Sequence, residues 1–230
     1  MECISSILRS SVADSETIYW SNKLKTSFGM DSELKPDVTQ GHILLRQSYK
    51  CLSMMPEAMV RACKVVKIIF KDLGPSHAFS PNHGFFLPSD NTITLNSDMF
   101  YNPDQPEDFF DEHRHFLTRV DQTIFHEFGH AFEDNATHKI SLQDPWLKLS
   151  GWSKDKEPGL KRIIIKEPGT PEVVGEWWYS PDAEFCRFYG RRNPWDDWAD
   201  SFAFWVGDLK DKVPDAKREY LNKILSPYYK

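Results

Sequence analysis

"TIFHEFGHAFED", residues 123–134, sets two histidines four apart with a glutamate directly after the first. Ile124, Phe125, Phe128, Ala131 and Phe132 form an apolar stripe around them, so the stretch predicts a helix running from about Phe109 to Asp134. On that helix His126 and His130 stand one turn apart on the same face and can hold one ion together. Zinc suits such a pair, because it takes imidazole and carboxylate ligands in tetrahedral sites. Glu127, about 100° round the helix, is then beside the ion rather than on it, where it can accept a proton from activated water. Gly129 is expected to leave little bulk near the ion. Three fixed positions in five residues also arise by chance, so the motif demands a third ligand elsewhere in the chain.

Nearby candidates are poor. One zinc-peptidase pattern needs a glycine three residues after the second histidine and a histidine six after it, but Glu133 and Ala136 stand there. His138 reads as a loop residue. Asp134 extends the column by one turn, and three donors in a straight column span about 12 Å, too far to surround one ion. The better source is "FYGRRNPWDDWADSFAFWV", residues 188–206. Asn193 suits an N-cap and Pro194 a first helical residue, and Trp195, Trp198, Ala199, Phe202 and Val206 make the buried stripe. Asp196 and Asp200 are four apart on another face, directed at a neighbouring helix. Asp197 is read as a first-turn acid favoured by the helix dipole. The residues alone leave open whether Asp196 or Asp200 meets the ion.

These segments together resemble the gluzincin group that includes the anthrax lethal factor catalytic domain and the Pro-Pro endopeptidases. Tyr189, Gly190, Asn193, Ala199 and Phe202 match the phrase in which that family places a tyrosine seven residues before its metal-binding glutamate. Upstream, "GFFLPSDNTITLN" is similar to the family's hairpin ahead of the histidine helix. The likeness spans about residues 83–206. It implies an α+β, zincin-like fold with a small mixed sheet, the histidine helix and a helical C-terminal subdomain. It implies Zn2+ bound by His126, His130 and Asp196, with Glu127 as general base. Asp200 would orient a ligand histidine, and Tyr189 would donate to the oxyanion. Both family glutamates are aspartates here, so either the helix bearing them approaches the metal about 1 Å more closely or the roles of the two aspartates are exchanged. The implied activity is hydrolysis of peptide bonds in a protein or peptide substrate. An inactive zinc-binding interaction module and a hydrolase of non-peptide bonds are the other readings.

Composition sets the outer bounds. With 230 residues, 40% of them hydrophobic, the chain can bury a substantial core. A formal net charge of −6 without a basic run argues against a nucleic-acid partner. No apolar run reaches the ~20 residues needed to cross a bilayer. Cys3, Cys51, Cys63 and Cys186 form no Cys-x-x-Cys pair and are expected to be reduced. A monomer is expected, cytoplasmic or exported without a cleavable signal. A Ser-rich start without a signal suits a delivered effector or an ordinary tail equally.

Residues 1–40 read as an N-terminal extension or loosely packed cap, and 41–230 as the catalytic-type domain. Helices are predicted at "GHILLRQSYKCL" and Pro56–Leu73, and a hairpin at "HGFFLPSDNTITLN". "KRIIIK" is the one strand expected between 135 and 188, and further helices start near Asn193 and Pro214. The segment Asn91–Leu95 is expected to be an exposed edge strand on which an extended peptide pairs.

Overall fold

The computed structural model describes residues 2–38, 41–74, 83–97, 119–166 and 173–230, and the architecture is α+β. α1 (Glu2–Phe28) leads to β1 (Asp31–Leu34), and α2 (Gly41–Met54) and α3 (Glu57–Ala62) lead to β2 (Lys67–Lys71). The hairpin β3 (Gly84–Leu87) and β4 (Thr92–Asn96) precedes the histidine helix α4 (Arg119–Ala136). Next come α5 (Asp144–Ser150), β5 (Trp152–Ser153), β6 (Lys161–Lys166) and β7 (Val173–Tyr179). The chain closes with α6 (Pro194–Val206) and α7 (Asp215–Leu225). No described helix is long and apolar enough to cross a membrane.

β1, β2 and β4 run parallel and β3 antiparallel in a mixed sheet of order β1-β2-β4-β3, while β5-β7-β6 form a second, antiparallel sheet. Ile68, Phe70, Ile93 and Leu95 point from the mixed sheet into a core shared with Ile124, Phe125, Phe128 and Phe132 of α4. Because β4 is paired on both sides and buried along its whole length, the expectation that Asn91–Leu95 offers a free edge is corrected. Among the described residues the free edge on that side is β3, with Phe85 and Leu87 exposed.

Two further expectations change. The helix predicted over Pro56–Leu73 ends at Ala62, and the remainder is strand β2. Lys64 adopts a left-handed conformation (φ 52°) that breaks the helix. Beyond it, β-branched Val65, Val66, Ile68 and Ile69 favour an extended chain, buried on alternate residues. Within the segment read as an N-terminal extension, α1 lies along α2, Leu24 and Met30 are buried, and β1 pairs with β2. β7, absent from the sequence expectation, forms the centre of the second sheet. The predicted helical stretch from Phe109 to Thr118 lies outside the described residues.

α4 and α6 form the tightest helix pair in the molecule. At their crossing a Cβ on Gly129 would lie 3.0 Å from Ala199 Cα and 3.2 Å from the Ala199 carbonyl oxygen. Gly129 therefore serves helix contact, not clearance around an ion. Trp198 Nε1 donates to the Gly129 carbonyl at 3.2 Å and locks the same crossing. Gly129→Ala should lower the unfolding free energy by about 1–3 kcal/mol, the usual scale of overpacking. Denaturant unfolding of parent and variant checks this, and equal stability would mean the crossing yields freely.

Candidate metal centre and its surroundings

α4 presents His126 and His130 toward the first turn of α6. The His126 and His130 Nε2 atoms are 3.1 Å apart. Asp196 Oδ1 lies 3.6 Å from the first and 3.5 Å from the second. Four-coordinate zinc with bonds of about 2.0–2.1 Å spaces its ligand atoms roughly 3.3–3.4 Å apart. A triangle of this size, made of two imidazole nitrogens and a carboxylate oxygen, fits that ion. Among the described residues these three are the group whose donor atoms converge in this way. Asp134 and His138 are not part of it.

Asp196 is aimed by its own helix cap. Asn193 accepts from the Asp196 backbone N–H at 2.6 Å and donates through Nδ2 to Asp196 Oδ2 at 2.7 Å. With Oδ2 so occupied, Oδ1 is left for the histidines. Burial works against the Asp196 charge, but the bonds and charges of the two imidazoles hold its carboxyl well below the usual carboxylate range.

Asp200, one turn further on, stands behind His126. Its Oδ1 accepts from His126 Nδ1 at 2.8 Å, so that nitrogen carries the hydrogen and Nε2 faces the triangle. Burial disfavours a charged His126, yet Asp196 and Asp200 raise its pKa to about 9. A cation entering the site must therefore displace a proton.

The partner that holds Asp200 has no signature in the sequence. Arg187 donates from Nε to Asp200 Oδ1 at 2.8 Å and from Nη1 to Gln122 Oε1 at 3.1 Å. It thereby joins the loop before Tyr189 to both α4 and α6. Its position in an irregular segment offers no periodicity from which to find it. Asp197 turns away from the donors and accepts from Lys217 Nζ at 2.5 Å and Trp152 Nε1 at 3.1 Å. That pairing is structural, tying α6 to α7 and β5.

Glu127 is buried beside the triangle on the wall of an open cleft of about 610 Å³. Burial raises its pKa, opposed by the charges of the two histidines, and Phe86 of β3 lines the same cleft. Tyr189, on the 3-10 turn Phe188–Arg191, packs edge-on to His126 with ring centroids 5.4 Å apart. The Arg187 and Arg192 guanidinium carbons lie 5.0 and 4.7 Å from its ring centroid. Burial, then the nearby Asp196 carboxylate, pushes the Tyr189 phenol well above its usual range, so it stays a hydrogen-bond donor. Phe85, Phe86 and Pro88 line one side of the cleft, and Ile165, Arg192 and Trp195 also line it.

No protein-family model and no curated protein matches the chain. Among solved structures, the PRO-PRO endopeptidase (PPEP-2) from Paenibacillus alvei is similar over 90% of this chain and 96% of that chain, at 14% identity and a TM-score of 0.42. That likeness is distant.

The two aspartates should separate by experiment. Asp196→Ala should abolish tight zinc binding, whereas Asp200→Ala should weaken it by about 10- to 100-fold, the scale for losing a carboxylate behind a ligand histidine. Competition titration against a chelating dye measures both, and the reverse order would exchange their roles.

Proposed function

We propose that this chain is a zinc-dependent endopeptidase acting on extended peptide segments. The observation that carries the reading is the convergence of His126 Nε2, His130 Nε2 and Asp196 Oδ1 at zinc-ligand spacing, in a cleft that Glu127 and Tyr189 also line. Three protein ligands beside an open cleft suit a catalytic ion, since structural zinc sites close with four.

His126, His130 and Asp196 would hold the metal, and Asp200 would fix the His126 tautomer. Zinc bound there would supply Lewis acidity to water and to a scissile carbonyl. Glu127 is the proton carrier: it takes a proton from the attacking water and returns it to the leaving amine. Its raised pKa suits both halves of that task, because a carboxyl that binds its proton more firmly gives and takes it nearer neutral pH. Tyr189 remains protonated, and its hydroxyl is the donor for charge that develops on the carbonyl oxygen.

The free edge of β3 is the support for substrate. An extended peptide adding antiparallel to Gly84–Leu87 would be held by main-chain hydrogen bonds, with successive side chains turned to opposite sides. Phe85 and Phe86 of the same strand line the cleft together with Glu127, which sets the peptide and the proton carrier in one frame.

Glu127→Ala should keep zinc content and melting temperature while peptide turnover falls by about 10²-fold or more. Loss of zinc from this variant would mean that Glu127 is misassigned. Tyr189→Phe preserves the ring between the two guanidiniums and removes only the donor. Its kcat should fall by about 10²–10³-fold, as for other oxyanion donors. Unchanged turnover would transfer that role to another group.

A further inference from the structure

Beside the metal cleft lies a second cavity, of about 360 Å³. Its walls include Ile163, Ile165, Tyr179, Phe188, Arg191 and Arg192. It is continuous with the metal cleft, because Ile165, Arg192 and Asn193 line both. Its surface combines two chemistries. β6 and the aromatic rings supply an apolar floor, and Phe188 stands 79% exposed at its edge. The other component is a pair of neighbouring guanidiniums.

Both guanidiniums are held against aromatic rings. Arg191 lies 5.5 Å from the Phe188 ring centroid and 5.7 Å from that of Phe185, and Arg192 lies over Tyr189. Stacking on rings fixes a guanidinium while leaving its N–H edge free for a carboxylate. Among the described residues, neither arginine is paired with a carboxylate. Arg187, by contrast, is spent on Asp200, and Arg162 on Glu176. Arg192 opens onto both the metal cleft and this cavity, Arg191 onto this cavity alone, and among the described residues neither meets a carboxylate. Their charge complement is an anion carried by the substrate.

We propose that this cavity is a specificity subsite that receives an acidic side chain, aspartate or glutamate, next to an apolar residue of the peptide substrate. The proposal rests on the peptidase reading above. Arg192 faces both cavities, so the acidic residue belongs close to the scissile bond. Extended chain advances about 3.3 Å per residue, which sets it within one or two positions. Glutamate or aspartate would meet the guanidinium edges, and the adjacent apolar side chain would cover Phe188 and the β6 isoleucines.

The test uses N-acetylated, C-amidated peptide libraries in which one position near the cleaved bond is Glu, Gln or Lys. Cleavage is measured with the zinc-loaded protein, and binding with the Glu127→Ala variant by fluorescence anisotropy. Arg191→Glu is the perturbing substitution, since Arg191 lies outside the metal centre, whereas Arg192 also packs on Tyr189. The Glu peptide should bind and be cleaved about three- to tenfold better than the Gln peptide, the net scale of one solvent-accessible hydrogen bond. In Arg191→Glu the order should invert toward Lys, with melting temperature unchanged. Equal binding of the three peptides by Glu127→Ala would overturn the subsite. So would a preference that is absent from these capped peptides and appears only when they are repeated with a free C-terminal carboxylate. Selective binding of the Glu peptide without any cleavage by the parent protein would retain the subsite and sink the peptidase reading instead.

Discussion

The arrangement depends on how closely α4 and α6 approach at Gly129 and Ala199. No side chain intervenes there, and the Trp198 indole closes the contact from the α6 side. This closeness decides which acids can serve the histidines. An aspartate carboxylate reaches about one methylene less far than a glutamate, and at this close crossing Asp196 Oδ1 stands 3.6 and 3.5 Å from the two histidine nitrogens. A methyl group at the crossing would push apart the His126, His130 and Asp196 donor atoms, which now stand 3.1, 3.6 and 3.5 Å from one another.

Around this contact, α6 carries three buried carboxylates within five residues, and each has been given a different counter-group. Asp196 meets two imidazoles and the Asn193 amide, Asp197 meets Lys217 and Trp152, and Asp200 meets Arg187 and His126. Buried anions are tolerable only when paired and hydrogen-bonded, so each pairing also fixes an element. Through them α6 is joined to α4, to the loop before Tyr189, to α7 and to β5. The helix is thus both the scaffold and the source of the third donor. Its stability and its chemistry share the same residues.

The second sheet gives the site a wall that the mixed sheet alone would not. β3 supplies a free edge on one side, and β6 with the Phe188–Arg191 turn supplies an apolar and cationic surface on the other. A peptide lying along β3 would present alternate side chains toward that wall. Main-chain pairing would then provide general affinity, while the wall discriminates.

The sequence by itself determined the periodic parts. The histidine helix, the Asn193 cap with Pro194 behind it, the last helix and the β3–β4 hairpin all follow from local spacing, cap chemistry and turn residues, which act within a few positions. It also placed Asp196 and Asp200 on one face, because a helix makes residues four apart neighbours. It misjudged Lys67–Lys71, where an apolar run fits helix or strand and only pairing with β1 and β4 decides between them. It likewise took β4 for an edge, since strand order is a property of the assembled sheet. Tertiary structure alone decided that Asp196 Oδ1 faces the two imidazoles while Asp200 stands behind His126, and that Arg187 secures Asp200 from a loop without pattern. These are contacts between residues distant in sequence, set by helix crossing and charge burial, and no local rule encodes them.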